Sequence, residues 1–105
     1  NHSFSVLLEN NKTAEAFRKL LPFEASMSDL NHNEKYYYLP QDLPVNPRQV
    51  SQIHAGDIML FGNNCLVLFY KSFSTPYAYT PIGRVENPAD LAKLLGKGNV
   101  TVIFK

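Results

Sequence analysis

Residues 57–71, with the sequence DIMLFGNNCLVLFYK, decide the fold of this chain. Two almost continuously apolar runs are separated by Gly62-Asn63-Asn64. Glycine and asparagine tolerate the positive φ that tight hairpin turns require. The stretch therefore predicts a β-hairpin with strands at 57–61 and 65–71. Because both arms are apolar along almost their whole length, we expect the hairpin to be covered on both faces.

Three strands are predicted before this hairpin. Polar and apolar residues alternate over 3–8 and over 23–28, as in half-buried strands, and a third strand over 36–39 ends at Pro40. A helix of about ten residues lies between the first two, because apolar residues recur there at helical spacing after several asparagine and threonine N-cap candidates. Pro22 ends it, since the residue before a proline avoids the α region.

Two strands and a second helix are predicted after the hairpin. The strands cover 82–85 and 99–105, and the helix begins at Asn87-Pro88 and stops at Gly96. The proline-rich segments 40–56 and 72–81 are predicted to be loops.

This order of elements predicts a mainly β fold. It lacks the strand-helix alternation of a parallel sheet, and many short strands with two short helices indicate a closed antiparallel β-barrel of about eight strands. Closure removes exposed strand edges, so we expect residues 3–8 to pair with residues 99–105. The length of 105 residues indicates a single domain over residues 1–105.

Composition excludes several functional classes. The chain is 45% hydrophobic with a net charge of +1, which argues against disorder and against binding to nucleic acid or an anionic membrane surface. No apolar run approaches the ~20 residues of a transmembrane helix. Cys65 is the only cysteine, which excludes an internal disulfide, and its apolar neighbours predict a buried, inert thiol.

An ordered set of short motifs extends along nearly the whole chain. They are Asn-Lys-Thr-Ala-x-Ala-Phe at 11–17, Leu-Leu-Pro at 20–22, Glu-Lys-Tyr at 34–36, Gly-Asp-Ile at 56–58, Leu66–Tyr70, Ile-Gly-Arg-Val at 82–85 and Val-Thr-Val at 100–102. In this order the motifs resemble the bacterial cyclophilin-like domain family. The resemblance implies an eight-stranded β-barrel capped by two helices. Because the chain begins at Asn1 rather than Met, we expect that a leader has been removed, and the resemblance favours a mature secreted or lipoprotein domain over a cytoplasmic one.

The resemblance does not extend to the isomerase motif of true cyclophilins. Those enzymes use an arginine in a Phe-His-Arg-x-x-Pro stretch, followed by Gln-Gly-Gly-Asp-Phe. Here His54-Ala55-Gly56-Asp57-Ile58 keeps Gly-Asp but places His54 at the glutamine, while Arg48 lies in the right region without the motif around it, and there is no tryptophan. We therefore assign no catalytic residue and predict a non-catalytic binding module. The alternative is a weak or altered peptidyl-prolyl isomerase that uses Arg48 and His54.

The aromatic residues suggest where a ligand binds. Tyr36–Tyr38 are consecutive, so a strand must present at least one ring to each face, and further rings lie in the loop 72–81, which prolines stiffen. Tyrosine combines apolar area with a polar group, as binding surfaces require. We expect a shallow cleft for a peptide or a small apolar ligand, lined by Tyr36, Tyr38, Arg48, His54, Phe73, Tyr77 and Tyr79. The alternative is that the rings only cover the barrel.

No cofactor is predicted. The three histidines are scattered through the sequence, without the spacing of metal ligands, and the five glycines form no phosphate-binding loop. The identity of the ligand and the oligomeric state remain open at this point.

Overall fold

The structure is a computed structural model that describes residues 2–105, which contain ten strands and two short α-helices. The elements are β1 (Val6–Leu8), α1 (Lys12–Lys19), β2 (Phe23–Leu30), β3 (Glu34–Tyr38), β4 (Arg48–Gln49), β5 (Gln52–Ile53), β6 (Asp57–Phe61), β7 (Cys65–Phe69), β8 (Phe73–Ser74), β9 (Ala78–Val85), α2 (Leu91–Leu95, after a 3-10 turn at Pro88–Asp90) and β10 (Val100–Phe104).

Seven strands form one curled antiparallel sheet. Their order is β1-β9-β6-β7-β3-β2-β10, β4 also pairs with β9, and β5 pairs with β8 in a separate two-stranded sheet. The predicted hairpin is β6 and β7, with Phe61 opposite Cys65 and Ile58 opposite Leu68. The mainly β class with two short helices is confirmed.

The sheet is open, and the predicted pairing of the two terminal strands is wrong. β1 pairs with β9, where Leu7 lies opposite Arg84, and β10 pairs with β2, where Val102 lies opposite Ala25. Since each terminal strand has a different partner, β1 and β10 form the two edges of a curled half-barrel. The first strand also covers only residues 6–8.

Two specific contacts between residues distant in sequence hold the terminal strands in these places. A Cβ atom on Gly83 of β9 would lie 2.5 Å from the carbonyl oxygen of Leu7, so the absence of a side chain allows β1 to approach β9 closely. At the other edge, the buried Lys35 Nζ donates to the carbonyl oxygens of Gly96 and Gly98, at 2.9 and 2.5 Å. This contact fixes the turn before β10 next to β3 and so directs β10 along β2.

Helix α1 packs across the inside of the curled sheet. Its N-cap is Asn11, whose side chain accepts the Ala14 N–H at 2.7 Å, as the N-cap signal predicts. The helix contacts β9, and Phe17 meets Phe104 of β10 edge-on with ring centres 5.8 Å apart. Side-chain packing, rather than a hydrogen-bonded ladder, therefore connects the two sides of the half-barrel.

The central hairpin is covered on both faces, as predicted. Even-numbered apolar residues of β6 and β7 face the inner core, and odd-numbered ones face a second, outer core. The inner set is Ile58, Leu60, Leu66 and Leu68, and the outer set is Met59, Cys65, Val67 and Phe69. The predicted loops 40–56 and 72–81 supply the outer cover, because they contain β4, β5, β8 and the first part of β9.

Candidate functional site

A cleft of about 420 Å³ opens beside β4, over the outer side of β6 and β9. Met59 and Pro81 give it apolar surface. Its charged and titratable lining consists of Glu9, Arg48, His54, Asp57 and Arg84. The cleft therefore combines a small apolar area with groups of both charges.

Strand register brings these residues together from distant parts of the sequence. Arg48 of β4 lies opposite Tyr79 of β9, and Asp57 at the start of β6 lies opposite Arg84 of β9. The register between β6 and β9 shifts between Ile58 and Met59. Bulges of this kind redirect side chains and are common beside functional sites.

Pro81 is held from the other side by the N-cap residue of α1. The Asn11 Nδ2 donates to the Pro81 carbonyl oxygen at 2.9 Å, and Glu9 N–H donates to the next carbonyl, that of Ile82, at 2.8 Å. The same asparagine thus starts the helix and fixes one wall of the cleft.

His54 and Asp57 form a tight turn at the mouth of the cleft. The His54 N–H donates to Asp57 Oδ2 at 2.8 Å, and the imidazole Nδ1 lies 3.9 Å from that oxygen. Burial raises the pKa of Asp57 above its ordinary value, although the His54 hydrogen bond and the charge of Arg84 oppose the rise. The His54 side chain is 71% exposed, so its ring remains accessible to a ligand.

The two arginines of the cleft make no ion pair with any carboxylate of residues 2–105. Both side chains are exposed. A guanidinium carries five N–H donors and no acceptor, so these groups are suited to oxygen atoms of a bound molecule.

A family model described as the cyclophilin-like family matches residues 1–105, the whole chain. The chain belongs to the cyclophilin-like family. No curated protein and no solved structure gave a match. The match confirms that the ordered motifs indicate a cyclophilin-like domain, and it covers the full length of the chain.

The structure divides the seven predicted cleft residues among three environments. Only two of them, Arg48 and His54, line the cleft beside β4. Three others belong to the outer core, and two are more than half exposed at the end of the outer face. The outer-core residues are Tyr36, Phe73 and Tyr79, and the exposed ones are Tyr38 and Tyr77.

For several cleft residues, no pattern in the sequence of this cyclophilin-like domain predicts that they line a cleft. Glu9, Met59 and Arg84 reach the cleft only through the pairing of β9 with β1 and β6, which are far apart in the chain. Asp57 and Arg84 do belong to quoted motifs, Gly-Asp-Ile and Ile-Gly-Arg-Val, but neither motif by itself indicates a cleft. Phe61 belongs to the hairpin that the sequence predicts to be covered on both faces, yet it is 46% exposed, and its ring centre lies 6.1 Å from that of Tyr77.

A separate polar cluster lies where β2 ends and β3 begins. Lys35 Nζ is 3.1 Å from Asp29 Oδ1, and the Tyr70 hydroxyl donates to the same oxygen at 2.5 Å. Desolvation opposes ionisation of Asp29, but the hydrogen bonds from Tyr70 and Lys35 outweigh it and lower its pKa. Burial and the Asp29 hydrogen bond raise the pKa of Tyr70 to about 12. Because Asp29, Lys35 and Tyr70 pair with one another, we assign this cluster a structural role.

Other surfaces of the cyclophilin-like domain present fewer groups that could bind a ligand. A second hollow of about 390 Å³ lies between residues 2–5 and residues 86–94 and is lined by no arginine or lysine. Among residues 2–105 there is no cluster of three metal-ligating side chains and no helix long and apolar enough to cross a membrane.

Proposed function

We propose that this cyclophilin-like domain is a non-catalytic module that binds a peptide or a small ligand in the cleft beside β4. The observation that carries this proposal is the cleft itself, in which the exposed side chains of Arg48, His54 and Arg84 lie beside the half-buried Pro81. Ligand sites typically combine apolar contact area with a few placed polar groups.

The chemistry of the cleft suits an extended peptide. Arg48 and Arg84 donate to carbonyl or carboxylate oxygens of the ligand, and His54 provides one further donor or acceptor. Met59 and Pro81 accept an apolar side chain, a proline ring included. Hydrogen bonds to charged groups contribute about 1.5–3 kcal/mol each when they are formed in a protein.

The convergence of Arg48 with His54 on one cleft favours the alternative, a weak or altered prolyl isomerase that uses both residues. An arginine that donates to a prolyl peptide group weakens its amide resonance and so lowers part of a rotation barrier of ~18–20 kcal/mol. Against this alternative, His54 stands where the glutamine of true cyclophilins would be, and the Phe-His-Arg stretch is absent. We therefore place binding first.

Chemical-shift mapping tests the binding proposal. Acetyl-Ala-Pro-Ala-amide and acetyl-Ala-Ala-Ala-amide are titrated into the ¹⁵N-labelled protein, and we expect shifts around Arg48, His54, Met59 and Gly83. The Arg48→Ala change should weaken binding about tenfold, because about 1.4 kcal/mol corresponds to that factor. Arg18→Ala, on the exposed face of α1, is the control and should have no effect. Shifts confined to another surface, or equal effects of both variants, contradict the proposal.

The same prolyl peptide separates the two functions. In an exchange experiment on its cis and trans resonances, we expect no acceleration above the uncatalysed rate. Acceleration that persists in Arg18→Ala and disappears in Arg48→Ala would establish the isomerase instead.

A further inference from the structure

Three residues lie side by side across adjacent strands at one end of the outer face. Tyr38 of β3 is directly opposite Cys65 of β7, and Cys65 is directly opposite Phe61 of β6. Directly opposed residues of antiparallel strands project from the same face of the sheet. Tyr38 is 63% exposed and Phe61 46% exposed, whereas Cys65 between them is 8% exposed.

We call the space above Cys65, between the side chains of Tyr38 and Phe61, the slot, and these two side chains its walls. The backbones of Tyr38 and Phe61 are two strand spacings apart, about 10 Å. The small Cys65 side chain lies at the bottom. Among residues 2–105 the ring contacts of Tyr38 and Phe61 are with other aromatic residues and not with each other.

Neighbouring rings support both walls from behind. Tyr36 meets Tyr38 edge-on with ring centres 5.8 Å apart. Tyr77 meets Phe61 at 6.1 Å, and the buried Tyr79 meets it at 5.5 Å. Because the walls are packed before any ligand arrives, little ordering is required on binding.

A carboxylate contacts the hairpin turn that joins Phe61 to Cys65. Asp42 is exposed and accepts a hydrogen bond from Asn63 Nδ2 at 3.3 Å, in the turn two residues after Phe61. The Asp42 carboxylate makes no ion pair with residues 2–105. Among residues 2–105 the cation that lies over an aromatic ring is Lys35, and its ring is that of Tyr70 rather than Tyr38 or Phe61.

We propose that the slot between Tyr38 and Phe61 binds the guanidinium group of an arginine side chain that a partner protein presents. A guanidinium is planar, stacks on aromatic faces, and pairs with a carboxylate through two parallel hydrogen bonds. Tyr38 and Phe61 supply the aromatic faces, and Asp42 supplies the carboxylate. This surface is separate from the cleft beside β4 and does not depend on the proposed function of that cleft.

Three capped tripeptides test the proposal on the ¹⁵N-labelled full chain. The probes are acetyl-Gly-Arg-Gly-amide, its citrulline analogue, which has nearly the same shape without the charge, and its norleucine analogue. We expect the arginine peptide to shift the amide resonances of Tyr38, Phe61, Cys65 and Tyr77. The citrulline and norleucine peptides should bind at least about fivefold more weakly, as the loss of a cation–π contact implies.

Matched variants show whether each part of the slot contributes. Phe61→Leu keeps an apolar side chain at the site and should weaken the arginine peptide about three- to fivefold, and Asp42→Asn should do the same. Asp90→Asn removes an exposed carboxylate elsewhere and should have no effect. Equal binding of arginine and citrulline peptides overturns the proposal, as do shifts outside the slot or an Asp90→Asn effect as large as that of Asp42→Asn.

Discussion

Glu34 is a buried carboxyl group without a cation beside it. The residue is 9% exposed and makes no ion pair with residues 2–105. Burial, together with the nearby charge of Asp29, raises the pKa of Glu34 from 4.5 to about 7. The neighbouring Lys35 is fully buried but pairs with Asp29, on the other face of β3. Glu34 therefore favours the folded state only while it is protonated.

This pKa predicts a specific pH dependence of stability. The folded state binds the Glu34 proton more tightly than the unfolded state, so the free energy of unfolding falls as pH rises from about 4.5 to about 7. The total loss is on the order of 3 kcal/mol, because one pKa unit corresponds to about 1.4 kcal/mol. Glu34→Gln should remove this fall and stabilise the protein at pH 8 relative to wild type. Urea unfolding at pH 4.5 and pH 8 measures it.

The exposed Glu24 on β2 provides the control, since Glu24→Gln should leave the pH dependence unchanged. A Glu34→Gln protein whose stability falls with pH as steeply as the wild type would show that the carboxyl is ionised in the fold.

The burial of Glu34 and Lys35 could not be predicted from the sequence. Their motif contributes to the family resemblance, but adjacent charged residues at the start of a strand are normally exposed. Besides Asp29, the partners of Lys35 are carbonyl oxygens more than sixty positions away, at Gly96 and Gly98. The exposure of Phe61 could not be predicted either, because it depends on which distant strands lie beside the end of β6.

At the scale of elements, neighbouring residues predict the individual helices, turns and main strands well. They do not predict which distant strands pair with each other. The hairpin of β6 and β7, the N-cap of α1 and the stop of α2 near Gly96 follow from neighbouring residues. Segments 40–56 and 72–81 contain short strands that no local pattern indicates, because their pairing partners lie in each other. The predicted pairing of the terminal strands is wrong because each finds another partner, β9 for β1 and β2 for β10.

The packing of β10 gives a prediction at this scale. Phe104 stacks on Phe23 at 5.1 Å and meets Phe17 at 5.8 Å, whereas the preceding Ile103 is 57% exposed. Phe104→Ala should destabilise the fold by about 3–4 kcal/mol through a cavity between β10 and α1. Ile103→Ala on the same strand should cost under about 1 kcal/mol. Thermal and urea unfolding compare the two, and equal losses would contradict the packing described here.

For the whole molecule, the open sheet predicts a gradient of local stability. β7 lies between β6 and β3 and is buried throughout, whereas β1 pairs on one side only and is largely exposed. Amide hydrogens of β7 should exchange only through global unfolding, and those of β1 through local opening with much lower free energy. Hydrogen exchange followed by NMR measures the difference. Protection of β1 equal to that of β7 would mean that another strand covers its free edge in solution.

The placement of β1 and β10 at opposite edges also determines how the domain responds to stretching. A force applied through the polypeptide on either side of residues 6–104 acts on two strands that share no ladder with each other. The load cannot be borne by shearing terminal strands against one another. It instead acts on the short ladder of β1 with β9 and on the ladder of β10 with β2. The domain should therefore yield at low force in a single-molecule pulling experiment and lose an edge strand first, whatever its thermodynamic stability. Tethered between two larger bodies, it would act as an extensible link.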